Sequence, residues 1–413
     1  MTEQTNTPGL RFPEFSENWE IIKVRDLSKE TIGGGTPNTS KSNYWKGELN
    51  WIQSSDLSLD NLFKHRSKKY INDKALNNSS AKKIPANSIA IVSRVGVGKL
   101  VYINHEYATS QDFINLVHLN YPFKFIMYSL YLLLKGEANK LQGTSIKGIT
   151  KKDLLNYSLN IPKTIEEQEK IGVFFNKLDR QIELEEEKLE LLEQQKRGYM
   201  QKIFSQELRF KDDNGNEYPE WQFKNLGELG ESFTGLSGKT KDDFGYGDGL
   251  FITYMNVFKN TIAKSNMVER VKIGSNENQN RVQYGDILFT TSSEVPNEVG
   301  MSSIWLFNQD NVYLNSFCFG FRIVVNYIKP VYLARYLRSE EMRKTITILA
   351  QGSTRFNISK KEMMKLNIKV PYIEEQNKID NFFNKIDKYI EKQSEKIELL
   401  KERKKGLLQK MFV

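Results

Sequence analysis

The chain has 413 residues, 39% of them hydrophobic and 27% charged, with a formal net charge of +9. This size allows two to four domains with their own cores, and the composition is typical of globular proteins. The longest apolar stretch, near Phe125 to Leu134, is too short to cross a bilayer, and no export leader opens the sequence. The single cysteine, Cys318, excludes an internal disulfide. We therefore expect a cytoplasmic protein.

The excess positive charge lies mostly in the first part of the chain. Residues 1–162 contain 21 lysines and arginines against 14 acids, a net charge of +7. Nine basic residues and one acid, Asp73, lie between Lys64 and Lys99. Such a surface attracts polyanions and speeds encounter with them. A merely solubilising surface would carry the same charges.

Two regions, which we call the first head (residues 1–161) and the second head (residues 207–370), show alternating β-branched and aromatic runs broken by Gly, Asn and Asp. These runs predict strands, for example at Ser88–Val92 and Asp286–Thr290. Helices are predicted near Phe123–Lys135 and Val331–Thr345. We expect each head to be α+β.

Each head closes on a comparable loop and short helical turn, at residues 143–153 and 352–362. Thr150 and Ser359 are predicted N-caps. Lysines in a first helical turn oppose the helix dipole, and an anion docked there would remove the conflict. We therefore expect basic side chains here to follow a nucleic-acid backbone, although exposed lysines also tolerate this small cost. These side chains are Lys147, Lys151, Lys152, Arg355, Lys360 and Lys361.

Forty residues occur twice, because Ile165–Phe204 reappears as Ile373–Phe412 with 23 identities. A repeat of this length indicates two comparable halves. Each copy has a heptad pattern with eight of ten a/d positions apolar, and the two polar interruptions match, which indicates a coiled coil. The predicted seam residues are Ile171, Phe175, Leu178, Ile182, Leu189, Leu192, Ile379, Phe383, Ile386, Ile390, Ile397 and Leu400.

Each copy is predicted to be one long helix whose nearest apolar partner is the other copy. About 40 residues make a helix of roughly 60 Å, and a single helix with an apolar stripe is marginal in water. Pro162 and Pro371 mark the two entrances, and Thr164 with Glu167 predicts a capping box at the first. Parallel pairing would crowd both heads at one end. We therefore expect antiparallel pairing with a pseudo-two-fold internal repeat.

The sequence lacks the phosphate-binding-loop, amino-methyltransferase, common-nuclease and metal-ligand motifs. Residues 235–240 read G-L-S-G-K-T, but Phe233 stands where a phosphate-binding loop needs glycine. No two prolines are adjacent, which excludes the usual amino-methyltransferase motif, and no proline precedes an aspartate, as common restriction nucleases require. His65, His105 and His118 lack metal-ligand spacing. We expect no catalytic residue, metal ligand or cofactor on this chain.

An ordered set of short motifs resembles the specificity (S) subunit of type I restriction–modification systems over essentially the whole chain. The motifs are G-G-T-P at residues 34–37, Y-W-x-G at 44–47, S-R-V-G-V-G at 93–98, S-Q-D-F at 110–113, and E-E-Q-x-K-I opening both long helices. The second head departs from the pattern, with G-L-S-G-K-T for G-G-T-P and T-T-S-S at 290–293 for S-R.

The resemblance implies two target recognition domains that each read one half of an asymmetric bipartite DNA site. The implied domains are residues 1–161 and 207–370, and the implied spacer helices are residues 162–206 and 371–413. The helices would set the spacing and dock two modification subunits, which bring S-adenosylmethionine. Restriction subunits would bring ATP, Mg²⁺, translocation and cleavage. The alternatives are a coiled-coil scaffold whose heads bind protein, and a fused enzyme, which would need the absent motifs.

Base readout needs side-chain donors and acceptors in the major groove, with phosphate contacts for register. Loop residues of the two heads supply both kinds of candidate. The candidate readers are Thr36, Asn38, Arg94 and Gln111 in the first head, and Lys239, Ser292, Ser293, Arg355 and Asn357 in the second. The candidate phosphate contacts are Arg66, Lys68, Lys69, Lys82, Lys83 and Lys99, besides the six loop residues given above.

Overall fold

The structure is a computed structural model that describes residues 7–141 and 148–412. It contains two compact units: Glu187–Ser394, and the described parts of Met1–Glu186 with Glu395–Val413. Each unit holds one head and a part of both long helices. No helix in the described ranges is long and apolar enough to span a bilayer.

The first head is built on a four-stranded antiparallel sheet, β2-β8-β5-β6. Beside it lie a three-stranded sheet, β4-β3-β7, in which β3 and β7 are parallel, and an antiparallel pair, β1-β9. The elements are β1 Glu20–Lys23, β2 Ser28–Gly33, β3 Leu49–Ile52, β4 Lys69–Ile71, α1 Asp73–Asn77, β5 Ser88–Val92, β6 Leu100–Ile103, β7 Tyr107–Thr109, β8 Phe113–Leu119, α2 Phe123–Leu141, α3 Lys151–Asn156, β9 Ser158–Ile161 and α4 Ile165–Phe204.

The second head repeats this topology, with sheets β11-β18-β14-β16, β13-β12-β17 and β10-β20, and has a further short pair, β15-β19. Its elements are β10 Gln222–Asn225, α5 Leu226–Leu229, β11 Gly230–Thr234, β12 Phe244–Ile252, α6 Tyr254–Lys259, β13 Val268–Val271, β14 Ile287–Thr290, β15 Ser292–Ser293, β16 Ser302–Ile304, β17 Val312–Leu314, β18 Cys318–Ile323, α7 Pro330–Leu337, α8 Glu340–Ile348, β19 Phe356–Asn357, α9 Lys360–Met363, β20 Asn367–Val370 and α10 Ile373–Met411. Five 3-10 turns complete the described ranges: Val24–Leu27, Ser42–Trp45, Ser54–Asp56, Lys241–Asp243 and Pro296–Glu298.

The predicted α+β heads with long paired helices are confirmed, and one helix differs in detail. The sequence predicted helical structure near Val331–Thr345, and the structure divides it into α7, which ends at Leu337, and α8, which begins at Glu340. Ser339 separates them because its hydroxyl accepts a hydrogen bond from the amide of Met342, 3.4 Å away, and so caps the second helix.

The antiparallel pairing of α4 and α10 is confirmed by contacts inside each unit. In the unit of the first head, Phe175 early in α4 packs on Phe412, just beyond the end of α10, with ring centroids 5.7 Å apart. In the other unit the mirrored pair is Phe204 at the end of α4 on Phe383 early in α10, at 6.1 Å. Every predicted seam residue is buried or half-buried.

Ion pairs account for one polar interruption of the seam in each long helix, at Lys196 and Lys404. Lys404 pairs with Asp179 in the unit of the first head, and Lys196 pairs with Asp387 at 2.7 Å in the other. Both pairs link one polar a/d position to an aspartate of the opposite helix. These ion pairs form only in the observed register of the two helices. The polar residues therefore favour that register, although burying them costs stability.

A buried glutamate anchors the start of each long helix. The Glu167 carboxylate accepts two hydrogen bonds of 2.7 Å from Arg11 and one of 3.4 Å from the indole of Trp19. In the second head Glu375 accepts from Arg209 at 2.8 and 3.2 Å and from Trp221 at 2.9 Å. These two Arg–Glu–Trp clusters link each long helix to the segment that begins its head.

The predicted capping box of Thr164 and Glu167 is wrong. The Glu167 carboxylate is committed to Arg11 and Trp19, and the buried Thr164 hydroxyl has no hydrogen-bond partner. A bidentate guanidinium is a stronger partner for a carboxylate than a single backbone amide, so the Arg–Glu–Trp cluster prevails.

The polar residues beside the helix pair differ between the two heads. In the first head, Tyr128 donates a hydrogen bond of 2.6 Å to Asp179. In the second head, the almost fully buried Arg335 lies 2.7 Å from Asp387, 2.8 Å from Asn384 and 4.0 Å from Asp380. Burial raises the pKa of Asp380 to about 7, although Arg335 opposes the shift.

We expect Glu167→Ala to lower the free energy of unfolding by about 3 kcal/mol, because it strands a guanidinium that has lost its charged partner. Urea titrations measure this. Glu166→Ala is the matched control, since Glu166 is exposed in the same helical turn, and it should change the value by less than about 0.5 kcal/mol. Equal losses in the two variants would contradict an anchoring role for Glu167.

Stability should also depend on the titration of Asp380. The unfolded chain releases this proton near pH 4 and the folded chain near pH 7, so its ionisation lowers stability as the pH rises through that interval. The free energy of unfolding of Asp380→Asn, relative to that of the wild type, should therefore rise by up to about 2 kcal/mol between pH 5.5 and pH 8. Thermal unfolding at both pH values measures this rise. Asp387→Asn breaks the shorter ion pair and should be destabilised at both. A pH-independent difference for Asp380→Asn would refute the assignment.

Candidate nucleic-acid interface

Three loops of the first head meet at one edge of its main sheet. Thr36 and Gln111 are hydrogen-bonded through their side chains, and the Ser93 hydroxyl donates to the carbonyl of Asp112 at 2.9 Å. A Cβ on Gly34 would lie 1.9 Å from the carbonyl oxygen of Ser110, so only glycine permits this approach. The structure thus brings together the loops of three sequence motifs.

Two tryptophans support the G-G-T-P loop and the residue after it through hydrogen bonds to backbone carbonyls. The indole of Trp51 donates to the carbonyl of Gly35 at 3.0 Å, and that of Trp45 donates to the carbonyl of Asn38 at 3.3 Å. The Lys69 ammonium lies 5.4 and 5.8 Å from the ring centroids of Trp51 and Trp45. Trp45 belongs to the Y-W-x-G motif, but the sequence did not indicate that either tryptophan supports this loop.

The segment that ends the first head joins the same edge. A Cβ on Gly148 would lie 2.4 Å from the carbonyl oxygen of Ser93, beside Arg94. Thr150 caps α3 as predicted, accepting from the amide of Asp153 at 3.1 Å. Lys151 and Lys152 are exposed on the first turn of α3. Lys147 lies outside the described residues.

Some candidate phosphate contacts are exposed basic side chains, whereas others already bind a partner within the protein. Arg66, Lys68 and Lys82 are exposed. The Lys83 ammonium pairs with Glu106 at 2.6 Å, and that of Lys99 donates to the carbonyl of Ser54 at 3.1 Å. The Lys69 ammonium also donates to Gln53 at 3.2 Å.

In the second head, the short sheet β15-β19 gathers four of the five candidate readers. Ser292 lies opposite Asn357, and Ser293 lies opposite Phe356, next to Arg355. The Arg355 guanidinium donates to the Ser292 hydroxyl through Nε at 3.3 Å and Nη2 at 3.1 Å. This pairing has no signal in the sequence, because each strand has only two residues.

Lys239 does not present its ammonium to solvent as a candidate reader should. Its side chain is 3% exposed, and its ammonium binds Glu277 at 2.5 Å and the carbonyl of Lys272 at 2.6 Å. The hydrogen bond from Lys239 lowers the pKa of Glu277 to about 2. Gln279 completes the loop by accepting from the amide of Ser237 at 3.1 Å. Lys239 thus supports this loop from within.

In the short helical turn that closes the second head, Ser359 precedes α9 but its side chain makes no capping hydrogen bond. The predicted N-cap at Ser359 is therefore wrong. Lys360 is half-buried, and Lys361 is exposed. Among the side chains in the described ranges, no three histidines, cysteines or acids gather as metal ligands. What the edge offers is a set of hydrogen-bond donors and positive charges.

A family model described as a type I restriction modification DNA specificity domain matches residues 16–194 and again residues 218–402. The type I restriction enzyme MjaVIII specificity subunit of Methanocaldococcus jannaschii is 23% identical, with 97% of this chain and 93% of the relative aligned. The MjaIX specificity subunit of the same organism is 28% identical over 52% of each chain. The EcoR124I/EcoR124II specificity subunit of Escherichia coli is 31% identical over 41% of this chain and 43% of its own. The chain thus spans about half the length of these last two relatives.

Two solved structures share the fold over almost the whole chain. The S subunit of a type I restriction-modification system from M. genitalium has a TM-score of 0.54 at 16% identity, covering 98% of this chain and 99% of its own. A chain from work on assembly and conformational transition of the type I R-M system has a TM-score of 0.59 at 16% identity, covering 95% and 97%.

If the α3 lysines contact phosphates, the double variant Lys151→Gln/Lys152→Gln should lower the slope of log K against log salt by up to about 2 for DNA binding. The measurement is a salt titration of DNA binding by the full chain. The control is Lys344→Gln, which removes an exposed lysine that pairs with Glu340 on α8. An unchanged slope in the α3 double variant would remove the proposed contact.

Proposed function

Because this chain belongs to the family of type I restriction–modification DNA specificity domains, with both heads matched, we propose that it selects the DNA site for such a complex. Each head reads one half of an asymmetric bipartite sequence. The observation that carries the proposal is that two heads of one topology display different side chains at the equivalent edge. Two unlike readers on a repeated frame fit a split site with two different halves.

The proposed division of the chain is the one expected from its sequence. Residues 1–161 and 207–370 are the recognition domains, and residues 162–206 and 371–413 are the spacer helices. The paired helices set the gap between the half-sites, since each helix is continuous over about 40 residues. Support for a fixed gap comes from the ion pairs that fix the helix register.

Recognition in the first head rests on the clustered loops. Arg94 and Asn38 are exposed there, and the bonded pair of Thr36 and Gln111 presents further donors and acceptors. Arginine suits guanine, and amide side chains suit adenine. The exposed Arg66, Lys68 and Lys82 supply phosphate contacts that give affinity without sequence preference.

Recognition in the second head rests on the β15-β19 pair. Arg355 and Asn357 are exposed and lie two residues apart, whereas Ser292, which pairs with Asn357 across the sheet, is buried. Lys361 supplies phosphate contact. Lys239 holds its loop and is left out of the reading set.

We further propose that the chain performs no catalysis itself. Two modification subunits dock on the spacer helices and supply S-adenosylmethionine chemistry, and restriction subunits supply ATP-driven translocation and cleavage with Mg²⁺. The complex acts where the chromosomal DNA lies, in the cytoplasm. The competing scaffold function would give heads that bind protein and ignore DNA, and it is distinguished by sequence-selective, salt-sensitive DNA binding of the chain with its modification subunit.

Replacing residues 12–160 with the first head of another family member should change one half of the methylated sequence and leave the other half and the gap unchanged. Methylation-sensitive sequencing of genomic DNA from cells that carry either version measures this. The reciprocal exchange of residues 210–368 is the matched control and should change the other half. Changes in both halves from a single exchange would contradict separate reading.

A further inference from the structure

The guanidinium of Arg355 is exposed, yet its position is fixed from two sides. Its Nε and Nη2 both donate to the hydroxyl of Ser292, which is 4% exposed. Its carbon atom lies 5.4 Å from the ring centroid of Phe317. A guanidinium stacked on an aromatic ring keeps its charge and its plane.

The supports of Arg355 are themselves held in place. The carbonyl of Ser292 accepts a hydrogen bond of 2.7 Å from the Tyr254 hydroxyl, and Ser292 pairs with Asn357 across the sheet. The carbonyl of Phe317 accepts from the amide and hydroxyl of Thr291, at 2.9 and 2.8 Å. The side chain is therefore oriented before any ligand arrives, which reduces the entropy lost on binding.

This arrangement leaves most of the donors of Arg355 free. Of the five N–H groups of a guanidinium, Ser292 takes two, which leaves both on Nη1 and one on Nη2. In the described ranges no carboxylate forms an ion pair with Arg355. A neutral hydroxyl thus fixes the orientation without neutralising the charge, and a forked pair of donors points away from its support.

A planar fork fits two ligands in DNA, a phosphate and the O6 and N7 acceptors of guanine in the major groove. The neighbours favour guanine. Phe317 is 54% exposed directly beside the guanidinium, and an apolar ring is a poor neighbour for a hydrated phosphate but a suitable one for base edges. The exposed amide of Asn357 lies two residues away and suits an adjacent base rather than the backbone.

We propose that Arg355 reads a guanine in the half-site of the second head, with Ser292 and Phe317 as its positioning residues. This inference rests on the proposed DNA-reading function and adds the base and the device that selects it. The fork donates to O6 and N7, and Ser292 sets the angle at which it does so.

The test uses the full chain with its modification subunit, after the wild-type recognition sequence has been mapped by methylation-sensitive sequencing. Binding is measured on duplexes in which each guanine of the second half-site is replaced in turn by 7-deazaguanine, which lacks N7, or by adenine paired with thymine. Inosine, which keeps O6 and N7, is the control base. Arg355→Lys retains the charge and removes the fork.

We expect the wild type to lose about 5- to 150-fold in affinity when one particular guanine becomes adenine, the range for a bidentate contact, with a smaller loss for 7-deazaguanine and none for inosine. Arg355→Lys should lower discrimination at that base pair alone, because lysine can contact guanine but lacks the planar fork. Ser292→Ala and Phe317→Leu should weaken discrimination at the same pair, which a purely structural role would not single out.

Two outcomes would overturn the inference while leaving the proposed function intact. One is sequence-selective wild-type binding in which no guanine couples to Arg355. The other is an equal loss on all sequences for Arg355→Gln, with a lower salt slope and no such loss for Arg355→Lys, which would mark a phosphate contact. Absence of any sequence preference in the wild type would instead refute the proposed function.

Discussion

Neither head completes its hydrophobic core without side chains from both long helices. In the first head, Ile171 and Phe175 from the start of α4 and Leu408 and Met411 from the end of α10 join one buried cluster. The second head receives the mirrored contribution, with Ile203 and Phe204 from α4 and Ile379 and Phe383 from α10. Burial of these side chains is worth roughly 1.5–3 kcal/mol each, so folding of a head and pairing of the helices depend on one another.

The internal repeat made the pair of long helices, with a head before each, predictable from the sequence. Equal spacing of apolar residues in two 40-residue segments predicts two helices that bury their apolar stripes against each other, and motif order placed a head before each. Details that depend on competition between partners were not predictable in the same way. Glu167 has the spacing of a capping residue, yet Arg11, 156 positions away, provides a stronger partner. The position of Ser339 as a second N-cap likewise depends on a bend that no periodicity shows.

The candidate interface was only partly predictable, for a related reason. Loops rich in small and polar residues can be recognised in the sequence, but which of their side chains remain exposed depends on neighbours that are distant in the sequence. Lys239 and Arg355 both follow glycine-containing loop segments. The former is buried against Glu277, and the latter is held by a neutral serine with its charge unpaired. Phe317 and Trp45 orient the loops, and neither role is encoded in a local pattern.

The segments at Leu10 and Leu208 make the same backbone contact, each inside its own unit. The amide of Leu10 donates to the carbonyl of Lys410 at 2.8 Å, and the amide of Leu208 donates to that of Lys202 at 3.0 Å, 208 positions earlier than Lys410. The polypeptide runs on covalently from Lys202 to Leu208, whereas Leu10 reaches Lys410 only through space. In each unit the segment that begins the head is therefore hydrogen-bonded to the last part of a long helix. The same contact at carbonyls 208 residues apart is what tandem duplication of a half-length gene would produce.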